Sequence, residues 1–92
     1  MGSTKKVNYS KTGIENLPNN KPVVYKILTE NDNNNYTGTA KRGRVSERIK
    51  EHLNEIPGSK VIIEQFSSIK EAEAKESNII KRSQPKYNKT GK

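Results

Sequence analysis

Apolar residues in this 92-residue chain gather into short blocks separated by polar stretches. The first block, VVYKIL from Val23 to Leu28, is rich in β-branched and aromatic residues and predicts a strand. The turn-rich run ENDNNN follows, then a second strand-like run from Tyr36 to Ala40, so the two form an antiparallel hairpin. From Arg44 the period changes. Val45, Ile49, Leu53 and Ile56 stand at i, i+4, i+8 and i+11, which predicts a short helix closed by Pro57-Gly58. KVIIEQF, Lys60 to Phe66, reads as a third strand. Ser67 and Ser68 offer N-caps to a second helix, IKEAEAKESNIIKRS, halted by Pro85. Residues 1–21 are polar and basic with a brief apolar hint at Ile14 and Leu17, and read as a loosely packed lead. The order β-β-α-β-α predicts an α+β domain, with a sheet of three strands flanked by two helices.

Leu, Ile, Val and Phe make up only 18 of 92 residues, so the core must be thin and the blocks carry the argument for folding. A net charge of +8 predicts a polyanionic partner, nucleic acid first. A membrane surface is disfavoured, because no basic helix carries a large apolar face and the chain has no Trp and a single Phe. No apolar run nears the length of a membrane span and the start MGSTKKVNYSK lacks a signal-peptide core, so an intracellular, cytoplasmic protein is expected. The absence of cysteine removes thiolate nucleophiles and Cys-based zinc sites; any catalysis must use oxygen and nitrogen.

Three features point to chemistry. On a helical wheel with Ile69 at zero, Glu76 falls at about −20°, inside the stripe formed by Ile69, Ala72, Ile79 and Ile80. A carboxylate aimed at a core is costly unless paired, protonated or bound to a cation; the plain alternative is that it reaches solvent or a lysine where the sheet ends. Arg44, Arg48 and His52 form a second stripe, at i, i+4 and i+8, beside Val45, Ile49 and Leu53. With Lys41, Arg42 and Lys50, this region holds five cations in ten residues, a density that phosphate would relieve. Taken alone, His52 reads more simply as polar filler. Finally, Tyr25 and Tyr36 both stand in the hairpin, where phenol oxygens could position or deprotonate a water, although strand propensity also accounts for them. Gly38 would allow a bend or a close approach of substrate.

In order, VVY, YTG, Arg48-x-x-x-His52, Glu76 and the PKYN of Pro85–Asn88 resemble the GIY-YIG nuclease domain over residues 22–88. The resemblance implies a three-stranded antiparallel sheet flanked by helices and metal-dependent hydrolysis of DNA, as used in repair and recombination. By position it implies that Tyr25 lies near the attacking water as its base and that Tyr36 and Gly38 belong to the second motif. Arg48 would contact phosphate, His52 would assist or orient its neighbours, Glu76 would bind one Mg²⁺ or Mn²⁺, and Asn88 would brace the site. Val23 stands for the first-motif glycine, Val24 for its isoleucine and Thr37 for the isoleucine of the second motif, and the RGR loop is longer than in many members.

The expected reading is thus a DNA endonuclease using Tyr25, Tyr36, Arg48, His52 and Glu76, with Lys41, Arg42, Arg44, Arg48 and Lys86 on the nucleic acid. Its rival is a binding module of the same fold without turnover. The stretch Lys81–Lys92 holds five cations and no acids, suited to gripping backbone without reading bases, with residues 89–92 as a basic tail. Targeting would then fall to a partner protein or a second copy of the chain.

Overall fold

Strands β2 (Val23–Leu28) and β3 (Asn34–Ala40) form the expected hairpin in the computed structural model, which describes residues 4–53 and 55–83. Their turn is closed by the Thr29 and Asp32 N–H groups, which donate to Asn33 and Thr29 carbonyls, with Asp32 at φ 67°. A register shift at Ile27/Leu28 lets β3 begin at Asn34, earlier than Tyr36. The polar start of β3 is held by side chains: Asn35 donates to the Pro57 carbonyl (2.9 Å) and Asn34 to the Thr37 hydroxyl (2.8 Å).

Helix α2 covers only Val45–Lys50. Beyond it the apolar period persists in tighter turns, with His52 N–H donating to Ile49 O and Leu53 N–H to Lys50 O, so Ile49 and Ile56 still face the core. Strand β4 (Lys60–Gln65) and the long helix α3 (Ile69–Ser83) follow. Ser68 caps α3 by accepting from Glu71 N–H (3.3 Å), while the Glu71 carboxylate accepts from Ser67 N–H (3.2 Å). The stop expected at Pro85 lies outside the described residues.

The N-terminal lead requires a correction. Thr4–Asn8 forms a strand, β1, paired antiparallel with β4, so the described residues form a sheet of four strands in the order β1-β4-β2-β3 in which every pairing is antiparallel. A short helix, α1 (Lys11–Glu15), follows, its N-cap Ser10 accepting from Gly13 N–H, and it delivers Ile14 and then Leu17 into the core. Burying each of these side chains is worth about 1.5–3 kcal/mol. The first 21 residues thus help build the domain, where loose packing was expected.

One face of the sheet carries Val23, Tyr25, Ile27, Ala40, Val61 and Ile63 against Ile14, Leu17, Val45, Ile49 and Ile56. The opposite face has a smaller cluster, Val24 with Ala72 and Ile79 of α3, fringed by Phe66 and Ile69. β2 is buried on both faces, which explains its nearly continuous apolar run.

Candidate active site

Cross-strand register sets the first part of the site. Tyr25 lies directly opposite Gly38, and Tyr36 opposite Ile27, so both tyrosines project from the face that α2 covers. A Cβ on Gly38 would sit 2.6 Å from the Tyr25 hydroxyl oxygen and 2.9 Å from a Tyr36 ring carbon. Position 38 therefore has to be bare so that the two rings can lie across it.

The tight turns after α2 bring in His52. Its ring centroid is 4.7 Å from that of Tyr36 and 5.8 Å from that of Tyr25, and its Nε2 lies 2.8 Å from the Tyr25 hydroxyl. His52 is only 9% exposed, and its Nδ1 is buried without a hydrogen-bond partner among the described residues. Its carbonyl, with that of Ile56, accepts from the Tyr9 hydroxyl at 2.7 and 2.8 Å. Tyr9, from the lead, thereby fixes the turn that carries the imidazole. Burial and then the charge of Glu55 push the Tyr9 hydroxyl up to about 12, so it remains a donor.

Electrostatics divide the roles. Burial, followed by Tyr36, raises the Tyr25 phenol far above its ordinary value, and Arg48 opposes the rise. Burial, followed by the Arg48 charge, lowers His52, against Glu55 and Glu51. The pair is a neutral phenol and a neutral imidazole at physiological pH, and the tautomer of His52 decides which of them donates. Tyr25 is wholly buried, whereas Tyr36 is partly exposed.

Glu76 arrives from the other face of the sheet. It sits half-buried on α3, four residues after Ala72 and three before Ile79, both buried. Burial first, then Glu73, raises its carboxyl, and Arg48 lowers it. Arg48 thus acts on Tyr25, His52 and Glu76 alike, and it links the two faces. Among the described residues no group of three or more His, Asp or Glu side chains converges.

The basic residues differ from the expected bare stripe. Arg44 pairs with Glu47 (3.0 Å) and Arg48 with Glu51 (3.4 Å), and His52 turns inward. Lys41, Arg44 and Arg48 line an open cleft of about 300 Å³ with Thr39, Ala40, Ile69 and Glu73. Arg42 is exposed on the loop beside it. Lys86 and Asn88 lie outside the described residues. Sequence reasoning overlooked Tyr9 and Glu73; the position of Glu73 three residues before Glu76 on one helix was its available signal.

No family model and no curated protein matches the sequence. Among solved structures, the chain is similar to the GIY-YIG N-terminal endonuclease domain of UvrC from Thermotoga maritima, crystallised with its catalytic divalent cation, magnesium. The two are 28% identical with a TM-score of 0.70, and the match covers 85% of this chain and 93% of that one. That similarity extends over the α+β architecture just described, with a fourth strand added to the three expected. The chain folds as a GIY-YIG domain.

Proposed function

We propose that this domain is an endonuclease that hydrolyses DNA phosphodiester bonds with Mg²⁺ or Mn²⁺. The observation that carries the reading is the buried Tyr25–His52 pair, closed over by Tyr36 beside an arginine that also acts on Glu76. The net charge of +8 supports a polyanionic substrate.

Glu76 suits a hard divalent cation. Its carboxyl is half-buried and pressed upward by burial and by Glu73, a condition that a cation relieves. One carboxylate suffices for Mg²⁺, which keeps several waters and takes substrate phosphate as a further ligand. Bound there, the metal would supply Lewis-acid neutralisation of the charge that builds on the phosphate.

The chain's own groups do the rest. Arg48 presents a guanidinium fork to the non-bridging phosphate oxygens. In the free protein its charge also acts on the buried Tyr25 phenol, beside which the attacking water would be placed. His52 Nε2 accepts the Tyr25 proton as Tyr25 accepts the water's, so the buried phenol passes through without holding an unpaired charge. Tyr36, partly exposed, packs its ring against both members of this pair.

Cleavage of supercoiled plasmid with Mg²⁺, Mn²⁺ or EDTA, comparing wild type with Glu76→Ala, tests the proposal. Metal-dependent nicking that falls at least about a hundredfold in the variant is expected. Equal rates would remove Glu76 from the site, and binding without cutting in any metal would leave a DNA-binding module.

A further inference from the structure

A second cleft, of about 460 Å³, opens beside the first and is lined by Asn20, Lys21, Pro22, Arg42 and Ser67. Neighbouring residues of the chain line the two clefts. Lys41 lines one and the adjacent Arg42 the other; Ile69 lines one and Ser67 the other. They therefore lie on either side of the loop that joins β3 to α2 and of the entry to α3.

This loop is held by its backbone. Gly43 N–H donates to the Asn19 carbonyl (2.8 Å), and Val45 N–H donates to the Asn19 side-chain oxygen (2.7 Å). Gly43 takes φ +84° with open space where a Cβ would be, so its glycine serves the turn and not packing. The facing wall is equally fixed: Gln65 donates to the Asn20 side chain (3.0 Å) and Phe66 N–H to the Pro22 carbonyl (2.9 Å).

The side chains on these walls are unspent. Arg44, Arg48, Lys50 and Lys60 each have a carboxylate partner, whereas Lys21, Lys41 and Arg42 have none among the described residues. No carboxylate lines the second cleft, and Glu71, at the entry to α3, is engaged by Ser67 N–H. Fixed backbone carrying free cations is a preorganised grip for phosphate, because binding need not order the loop.

We infer that this second cleft is a DNA-backbone subsite, in which Lys21 and Arg42 hold phosphates flanking the scissile one and Asn19 positions the loop between the two. The inference rests on the nuclease reading. It adds a contact drawn from the N-terminal segment, so that the strand being cut is held on both sides of the Lys41–Arg44 loop.

The test is duplex-oligonucleotide affinity against salt concentration, in EDTA, for wild type, Lys21→Ala, the Lys21→Ala/Arg42→Ala pair and, as a charge control at the far sheet edge, Lys6→Ala. Loss of about 0.9 from the logarithmic salt slope is expected for Lys21→Ala and about 1.8 for the pair, with Lys6→Ala near wild type. Asn19→Ala should weaken binding although it removes no charge. An unchanged slope in the pair, or an equal loss in Lys6→Ala, overturns the subsite. Wild-type cleavage is measured alongside: cutting with an unchanged slope rejects the subsite alone, whereas a lowered slope without cutting supports the subsite and rejects the nuclease reading.

Discussion

The two faces of the sheet are built to different standards. Under α1 and α2, eleven buried residues form one continuous cluster with Tyr25 inside it, while under α3 the cluster consists of Val24, Ala72 and Ile79. The first face is dry and holds its polar groups, the phenol and imidazole, in fixed contact. The second leaves Glu76 half-open and its carboxyl under strain from burial and from Glu73. Proton handling needs desolvated groups with fixed partners, whereas a cation and a phosphate must enter from water. On the proposed reading the sheet keeps these requirements apart, and Arg48 acts on groups of both faces.

Substitutions on each face should therefore fail in different ways. The largest effect is expected at the open face: Glu76→Gln should lower cleavage at least about a hundredfold and leave the urea midpoint at or above wild type. A large fall in that midpoint would show that the α3 face is structural after all. Next, Gly38→Ala should affect both properties, since its Cβ would meet the Tyr25 hydroxyl at 2.6 Å and both rings must move. Overpacking of this kind costs about 1–3 kcal/mol and should abolish the Tyr25–His52 contact, seen as a changed histidine titration by NMR. Wild-type stability in this variant would mean the rings have room to spare.

Tyr9→Phe is smaller, about 1–2 kcal/mol, because it strips a donor from the carbonyls of His52 and Ile56 without altering volume. Chemical denaturation would measure it, and a null result would detach the N-terminal segment from the site. Smallest is the pH effect of His52. Its pKa is lower folded than unfolded, so between the folded value and about 6.5 the unfolded chain binds the extra proton. Its contribution is thus complete above about 6.5 and declines as pH falls through that window. His52→Gln should flatten that acid limb; an unaltered limb would assign it to other groups.

Much of this division was legible in the sequence. The hairpin residues Tyr25 and Tyr36 lie in a β-branched run, and Glu76 betrays itself by standing in an apolar stripe, since both rest on local periodicity. β1 escaped because an edge strand is bonded through its backbone, and four of its five side chains are exposed, which gives TKKVN no apolar signature. Tyr9 and Asn19 escaped because their partners lie far along the chain, at His52 and Ile56 and at Gly43 and Val45. The neutralising pairs Arg44–Glu47 and Arg48–Glu51 were readable at i, i+3 spacing.

The strand order also governs how the molecule comes into being. β4 lies between β1 and β2, yet among the described strands it is the last to leave the ribosome, while β1 is the first. Until residues 60–65 emerge, only the β2–β3 hairpin can pair, and the N-terminal strand waits with an unsatisfied backbone and a long loop to close. Sheet completion is therefore a late event of synthesis, and pairing of β1 with β4 fixes the segment that carries Tyr9 to its carbonyls. The turn that carries His52 and the completion of the sheet thus both depend on one N-terminal strand.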